Sequence, residues 1–199
     1  MESIKKIVII GPESTGKSTL CQKLADHYNT LWVPEYAREY LEKHGPEYSY
    51  EDLYDIAVGQ LELEDEAANK LENSDRAATI HHSPLPIHHS PFTTPYSPLF
   101  IDTDMYVMKV WSEFVFNKCN NWILNRIAER KYDLYLLCDV DLPWVKDDLR
   151  EYPDVKVRKK LFYFYKDLLV NQQVPWCQIS GDYDERISKA TNCIENAFS

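Results

Sequence analysis

The sequence is short of basic side chains and lacks any long apolar run, and each absence excludes a class of protein. Its 22 Lys and Arg are outnumbered by 32 Asp and Glu, which gives a formal net charge of −10. Because nucleic acids and anionic membranes are bound mainly through Lys and Arg, neither is expected as a partner. The apolar run near the N-terminus, Ile7–Ile10, is far shorter than a signal-peptide core or a membrane span. A cytoplasmic location is therefore expected.

The sequence also lacks a Cys-x-x-Cys pair or any other close grouping of thiols. Its five cysteines are scattered, at Cys21, Cys119, Cys138, Cys177 and Cys193. An odd, widely spaced set is not typical of a zinc site or of a disulfide framework. We therefore expect reduced and mostly buried thiols.

What the sequence does contain is an alternation of short β-rich runs with longer helical patterns. This alternation is typical of a parallel sheet covered by helices on both faces. The predicted fold class is therefore α/β. A single three-layer α/β/α domain with a five-stranded parallel sheet is expected to span residues 1–199. The strands are predicted at Ile4–Ile10, Leu31–Val33, Leu99–Asp102, Asp133–Asp139 and Trp176–Ser180, with helices between and after them.

A proline-rich stretch, from about residue 73 to 97, breaks this pattern. It contains a near-duplicated His-His-Ser-Pro, at His81–Pro84 and His88–Pro91. Because proline prevents helix formation and interrupts strand pairing, the stretch is predicted to be a long surface loop. Its four histidines could bind a divalent metal, but no Cys, Asp or Glu joins the cluster, so a polar loop without a functional metal is favoured.

Residues 11 to 19, Gly-Pro-Glu-Ser-Thr-Gly-Lys-Ser-Thr, match the phosphate-binding pattern G-x-x-x-x-G-K-[ST] at every fixed position. In such a P-loop, backbone N–H groups and the N-terminus of the following helix surround the phosphates of ATP. Lys17 would supply a cation to the β- and γ-phosphates, and Ser18 would offer its hydroxyl to Mg²⁺. These features predict a P-loop NTPase of the nucleoside or nucleotide kinase type. The predicted nucleotide contacts are Gly11, Glu13, Ser14, Thr15, Gly16, Lys17, Ser18 and Thr19.

Carboxylates follow two of the other predicted strands. Asp102 ends the strand Leu99–Asp102 and is the predicted metal-side carboxylate, together with Ser18. Asp104, two residues further on, could cap the next helix or bind a hydroxyl of the substrate. The run Leu31–Val33 leads into Glu35, which should face the crevice at the carboxyl ends of the strands.

A kinase that phosphorylates a hydroxyl benefits from a carboxylate such as Glu35, which orients the alcohol and can accept its proton. The alternative is a Glu that only stabilises the N-terminus of its helix. Arg38, one turn along, could pair with Glu35. Aromatic residues make up 13% of the chain, and Tyr36, Tyr106 and Trp111 lie near the predicted crevice, although each of them taken singly is more typical of the core than of a pocket. The predicted substrate contacts are therefore Glu35, Tyr36, Arg38, Asp104 and Trp111.

A cluster of cations follows the fourth predicted strand, within about residues 141–160. Arg150 and Arg158 stand out there, because the chain is otherwise acidic. They are predicted to lie on a lid that closes over ATP and to offset charge on the transferring phosphoryl group. The alternative is an ion-paired helical face in solvent.

Four segments in this order and spacing resemble the ribosylnicotinamide kinase domain of NadR-type proteins, within the AAA-type P-loop ATPase group. They are the P-loop, Glu35–Glu39, Phe100–Asp104 and Asp147–Arg150. The resemblance covers nearly the whole chain except the proline-rich stretch. It implies ATP-dependent phosphorylation of the 5′-hydroxyl of nicotinamide riboside, which yields nicotinamide mononucleotide for NAD synthesis.

Two departures from that family change the expectation. NadR-type proteins carry an adenylyltransferase domain, often with a DNA-binding helix-turn-helix, ahead of the kinase, whereas this sequence begins at the kinase strand. Neither repressor nor adenylyltransferase activity is therefore expected. The proline-rich stretch is unlike the compact connection expected before the strand that carries Asp102. Substrate choice could differ as a result.

The sequence therefore predicts a small-molecule kinase that uses ATP and Mg²⁺, with nicotinamide riboside or a related nucleoside as acceptor. Its predicted catalytic residues are Lys17, Glu35, Arg150 and Arg158. Two alternatives stay open at this point. One is a kinase for another nucleoside or deoxynucleoside, and the other is a regulatory ATPase switch that phosphorylates no metabolite.

Overall fold

The computed structural model of the chain describes residues 3–80 and 96–199. Five strands form one sheet in the order β2-β3-β1-β4-β5, and every neighbouring pair is parallel. The predicted five-stranded parallel sheet is thereby confirmed. The strands are β1 (Ser3–Ile10), β2 (Trp32–Val33), β3 (Tyr96–Asp102), β4 (Leu134–Cys138) and β5 (Trp176–Ile179).

Seven helices connect and cover the strands within the described residues. Several begin where a short polar side chain accepts the first free N–H groups, as Asp104, Asn120, Asp154 and Asp182 do. The short helix α5 was not predicted from the sequence. The helices are α1 (Lys17–Tyr28), α2 (Tyr36–His44), α3 (Tyr50–Ile80), α4 (Met105–Phe116), α5 (Asn121–Glu129), α6 (Val155–Val170) and α7 (Tyr183–Phe198).

The central strand β1 is buried on both of its faces. Ile7 and Ile9 pack in a cluster that includes residues of α1 and α7. Val8 and Ile10 pack in a second cluster with residues of α4 and α6. All four side chains have no solvent-exposed surface. Each such side chain contributes about 1.5–3 kcal/mol on burial, so the sheet is held rigidly between the two helical layers.

The bounds of α3 and β3 differ from those predicted. Helix α3 continues to Ile80, and β3 begins at Tyr96, so both ends of the expected loop from residue 73 to 97 belong to regular structure. Pro98 lies inside β3 although proline has no N–H to donate to a neighbouring strand. It is tolerated there because β2 pairs only with Phe100 and Ile101, so no strand lies beside Pro98 on that side. The rest of the predicted loop, with its four histidines, lies outside the described residues.

The expectation of reduced thiols is wrong for two of the cysteines. Cys177 on β5 and Cys193 on α7 form a disulfide, with their Cα atoms 6.6 Å apart. The other three are free, and Cys21 and Cys138 are buried. The sequence spacing could not show this pair, because the packing of α7 on β5 brings the two residues together. Separately, none of the helices described in residues 3–80 and 96–199 is long and apolar enough to span a membrane.

Candidate active site

A cavity of about 310 Å³ opens at the carboxyl ends of the strands, beside the P-loop. Because the strands are parallel, the residues that follow β1 and β2 meet at this edge of the sheet. Its walls come from the P-loop, from α2 and the segment after it, from α4, from α6 and from the chain between β4 and α6. Its lining includes residues 11–19, Glu35, Arg38, Pro46, Tyr48, Trp111, Phe114, Arg150, Glu151, Tyr152 and Tyr165.

The backbone of the P-loop is shaped so that its N–H groups stay available. Gly11 has φ 144°, and a Cβ there would lie 2.8 Å from the carbonyl oxygen of Cys138. Gly16 has φ 76° and is the N-cap of α1, where no side chain accepts the first helical N–H groups. The Thr15 hydroxyl donates to the carbonyl of Pro12 over 2.6 Å and closes the turn. Free amides at a helix N-terminus are groups that can bind phosphate oxygens.

The ammonium of Lys17 lies over the same turn. Its Nζ donates to the carbonyl of Pro12 over 3.0 Å. One carbonyl is a weak partner for an ammonium with three donors, which leaves capacity for phosphate oxygens. The structure thus places Lys17 on the cavity wall, where the sequence predicted it.

Asp102 is fully buried at the end of β3, and its backbone is in register with Ile9 of β1. Burial raises the pKa of Asp102 to about 6, whereas Lys17 and the Ser18 hydroxyl lower it. Neither carboxylate oxygen has a hydrogen-bond partner of normal geometry among the described residues, although Ser18 is near enough to affect its pKa. An unpartnered carboxylate next to a hydroxyl is an oxygen donor set that suits Mg²⁺.

Glu35 lies on the cavity wall at the N-cap position of α2. Its side chain makes no hydrogen bond to the helix, so its carboxylate is not used as a cap. Arg38 also lines the cavity, but its ion-pair partner is Asp147, with Nη2 and Oδ2 2.9 Å apart. A weaker contact, of 3.9 Å, reaches Glu42 on the same helix. The pairing of Arg38 with Glu35 that the sequence suggested is not formed.

The chain between β4 and α6 crosses the cavity and is tied to the P-loop. We call residues 145–152 the strap. The N–H of Val145 donates to the hydroxyl oxygen of Ser14 over 3.0 Å, and the N–H groups of Glu151 and Tyr152 donate to the carboxylate of Glu13. The two ends of the strap are thus bonded to adjacent residues of the P-loop.

The two predicted lid arginines have different environments. Arg150 is part of the strap, lines the cavity and donates from Nη1 to the carbonyl of Val145 over 2.6 Å. Arg158 lies on α6, is 4% exposed and is not part of the cavity wall. Its guanidinium carbon is 5.3 Å from the centre of the Trp144 ring, and its Nε and Nη1 have no partner among the described residues. Arg158 would need to move in order to reach a bound phosphate.

Aromatic rings also line the cavity. The ring of Trp111 is 4.9 Å from that of Tyr48, and its indole N–H donates to the Tyr48 hydroxyl over 2.8 Å. The rings of Phe114 and Tyr152 are 5.3 Å apart. We call these four lining residues the aromatic wall. Only Trp111 was predicted from the sequence. Phe114 follows it at helical spacing and could have been found, whereas Tyr48 and Tyr152 lie in irregular segments without a motif.

Two predicted substrate contacts do not reach the cavity. The ring of Tyr36 is packed against Gly59 of α3, where a side chain larger than hydrogen would overlap it. Asp104 is 1% exposed and accepts hydrogen bonds from the N–H groups of Tyr106 and Val107 and from the hydroxyl of Tyr135. The structure therefore supports the capping role of Asp104, the alternative that the sequence left open.

Sequence reasoning missed Arg186, which supports the P-loop from outside the cavity. This side chain on α7 is 1% exposed. Its guanidinium donates to the carbonyls of Thr15 (3.0 Å), Asp139 (3.1 Å) and Gly181 (2.8 Å), and it pairs with Asp141. It thereby ties the P-loop to the ends of β4 and β5. No local motif marks such a residue.

The chain is similar in sequence and in fold to proteins that are already known. The family described as an AAA domain matches residues 6–81 and 94–186. The trifunctional NAD biosynthesis/regulator protein NadR of Escherichia coli (strain K12) is 28% identical over 200 residues, which covers 96% of this chain and 42% of that protein. The NadR protein of Salmonella typhimurium (strain LT2) gives the same identity and coverage. The chain thus spans about two fifths of the length of these curated relatives.

Solved structures show the same fold. A crystal structure of NadR protein in complex with NR superposes with a TM-score of 0.67 at 21% identity and covers 98% of this chain and 50% of that one. NadR protein in complex with NAD and AMP-PNP gives the same TM-score and identity, over 49% of its length. Thymidylate kinase from Ehrlichia chaffeensis gives a TM-score of 0.61 at 12% identity, over 97% of this chain and 99% of its own.

The buried Asp104 generates a prediction about stability. In the unfolded chain its carboxyl loses its proton near the ordinary pKa of about 4, whereas burial raises the pKa of Asp104 in the folded chain to about 7. Because the unfolded state then binds fewer protons over this interval, the contribution of Asp104 to stability falls as pH rises from about 4 to 7. The free energy involved is at most about 4 kcal/mol.

Asp104→Asn removes this titration and keeps an oxygen that can cap α4. We expect the free energy of unfolding of the variant, measured with urea, to fall less than that of the parent between about pH 4.5 and 7.5. The matched control is Asp182→Asn, which changes an exposed cap of α7 in the same way. If Asp104→Asn followed the pH dependence of the parent, the carboxyl of Asp104 would not be protonated in the folded chain.

Proposed function

The chain belongs to the AAA domain family, and on this basis we propose that it is an ATP-dependent kinase that phosphorylates nicotinamide riboside to nicotinamide mononucleotide. The observation that carries the proposal is that a P-loop with free amides and the aromatic wall line one and the same cavity. Glu35 also lines this cavity. Its volume of about 310 Å³ suits a small molecule.

The P-loop side chains and amides would bind and activate ATP. The amides of residues 13–18 and the N-terminus of α1 would hold the β- and γ-phosphates. Lys17 and Arg150 would offset negative charge that moves from the γ-phosphoryl group to the leaving oxygen. Arg158 would join them only if α6 moved. When bound with the nucleotide, Mg²⁺ would add positive charge between the phosphates, and Ser18 and Asp102 are the residues that would hold it.

No group of three or more His, Cys, Asp or Glu side chains that could hold a metal ion by itself occurs in the described part of the chain. This is in keeping with a Mg²⁺ ion that binds together with nucleotide phosphates and keeps several waters.

The aromatic wall favours an acceptor with a flat, cationic ring. The nicotinamide ring of the riboside is a pyridinium and carries a positive charge. Aromatic faces attract such a cation, and the attraction is about 2 kcal/mol where water is excluded. Tyr48, Trp111 and Tyr152 supply rings of this wall. The carboxylate of Glu35 would accept the proton of the 5′-hydroxyl as the oxygen attacks the γ-phosphorus.

The NadR relatives support this assignment of the acceptor. At 28% identity over 42% of their length, they favour a P-loop kinase connected with NAD, and one NadR structure is described in complex with NR. The choice of nicotinamide riboside over other nucleosides is the part of the proposal that needs an experiment.

The direct test is to incubate the protein with ATP, Mg²⁺ and, separately, nicotinamide riboside, thymidine, deoxyadenosine or uridine. We expect phosphorylated product, followed by mass spectrometry, to form fastest with nicotinamide riboside. Lys17→Ala is expected to lower kcat by at least about a hundredfold while circular dichroism stays unchanged, because a transition-state cation is lost. ATP hydrolysis without a phosphorylated nucleoside would favour a regulatory ATPase instead.

A second prediction concerns the aromatic wall. Trp111→Leu should raise the KM for nicotinamide riboside about tenfold, because the attraction between the pyridinium and the indole face is lost. The KM for ATP should change less than about threefold, since the attraction that is lost concerns the pyridinium and not the phosphates. Trp122→Leu, which alters a tryptophan of α5 outside the cavity wall, is the control. Equal effects of the two variants on the riboside would contradict the role of Trp111.

A further inference from the structure

Glu13 places an acidic side chain in a turn that is expected to bind phosphates. It lies within the phosphate-binding turn and lines the cavity, so its carboxylate is close to the expected position of a triphosphate. Two like charges in a partly buried site repel each other. Burial also raises the pKa of Glu13, which shows that its ionised form is disfavoured there. A carboxylate at this position therefore needs a compensating role.

The hydrogen bonds of Glu13 indicate that role. Oε1 accepts the N–H of Tyr152 over 2.5 Å, and the N–H of Glu151 is 3.2 Å from Oε1 and 3.1 Å from Oε2. Both amides belong to the strap, in a segment without helix or strand. Backbone amides in such a segment have no regular partner, and a carboxylate can accept several of them at once. Glu13 is thus the partner that fixes this end of the strap.

The residues fixed in this way line the cavity. Arg150 immediately precedes the two amides and supplies a cation to the cavity wall. Tyr152 contributes a ring to the aromatic wall. The carboxylate of Glu151 accepts the hydroxyl of Tyr48 over 2.9 Å, and this hydroxyl accepts the indole N–H of Trp111. A continuous series of hydrogen bonds therefore runs from the P-loop to the aromatic wall.

We propose that Glu13 is a positioning residue that holds the strap on the P-loop and thereby assembles Arg150 and the aromatic wall around the acceptor. Glu13 touches neither reacting atom in this role and acts through the amides of Glu151 and Tyr152. The inference deepens the proposed function, since it concerns the same cavity. Binding of nucleotide to the P-loop and binding of the acceptor to the aromatic wall are then coupled through one side chain.

Three substitutions separate the hydrogen bonds of Glu13 from its charge. Glu13→Ala removes both acceptor oxygens. Glu13→Gln removes the charge but keeps one oxygen, and Oε1 alone is within hydrogen-bond reach of both amides. Glu13→Asp keeps the charge but withdraws the carboxylate by one methylene. Glu62→Ala is the control, because Glu62 is an exposed carboxylate on α3 outside the cavity wall.

The first measurement needs no activity and is therefore independent of the proposed function. Amide hydrogen exchange of the peptide that contains residues 151 and 152 is compared in the ligand-free proteins. We expect exchange at these amides to be about tenfold faster in Glu13→Ala and Glu13→Asp than in the parent, and nearly unchanged in Glu13→Gln and Glu62→Ala. Unchanged protection in Glu13→Ala and Glu13→Asp would overturn the proposal, and the Asp variant decides if the Ala variant does not fold.

The second measurement uses whichever nucleoside the parent protein phosphorylates. For Glu13→Ala we expect kcat to fall about tenfold to a hundredfold, while the dissociation constant of AMP-PNP changes less than about threefold. Glu13→Gln should recover most of kcat, which a general loss of packing would not allow. A Gln variant as impaired as the Ala variant, or a loss confined to nucleotide affinity, would contradict a positioning role. If no nucleoside is phosphorylated, the proposed function fails and the exchange measurement alone decides on Glu13.

Discussion

The candidate active site depends on how the turn between β1 and α1 is held. The N–H groups of this turn have no side-chain cap among the described residues, and one of its carbonyls is held by a partner elsewhere in the fold. The buried guanidinium of Arg186 is this partner, because it binds the carbonyl of Thr15 together with carbonyls that follow β4 and β5. Gly11 allows the same turn to approach the backbone of Cys138. The turn is therefore shaped by the ends of the sheet before any nucleotide binds.

Charge is distributed unevenly around this turn. The side facing the cavity contains Lys17 and Arg150, whereas Asp102 is buried next to it and has no hydrogen-bond partner of normal geometry within residues 3–80 and 96–199. An unpaired buried carboxylate is costly, and burial accordingly raises the pKa of Asp102. A cation that arrives with the nucleotide would relieve that cost. The buried carboxylate of Asp102 thus lowers the folding stability of the ligand-free protein, and binding of a cation there would restore it.

The sequence predicts the parts of this site that follow from local rules. The P-loop pattern fixes its residues by spacing, and parallel strands bring the residues after their carboxyl ends to one edge, which is how Glu35 and Asp102 could be chosen. The all-parallel sheet and most helix positions follow from the same alternation of patterns. The roles of Lys17, Glu35 and Arg150 stay predictions, although the structure places these residues on the cavity wall.

Other features could not be predicted, because they depend on contacts between distant parts of the chain. Tyr48 lies in an irregular segment, and its place in the cavity is set by Trp111 and Glu151. The contact between Arg186 and Thr15 joins residues 171 positions apart. Asp104 lies two residues after Asp102, the last residue of β3, but its side chain caps α4. Two positions in the sequence thus separate Asp102, a candidate metal ligand, from Asp104, whose side chain stabilises a helix.

We propose that one cavity holds a triphosphate on the P-loop and a nucleoside against the aromatic wall, with Glu35 at the acceptor hydroxyl. A crystal structure of the protein with Mg²⁺, AMP-PNP and nicotinamide riboside tests this arrangement most directly. We expect phosphate oxygens within hydrogen-bond distance of the amides of residues 13–18 and the 5′-oxygen between Glu35 and the γ-phosphorus. A triphosphate bound elsewhere, or a riboside outside the wall of Tyr48 and Trp111, would contradict it.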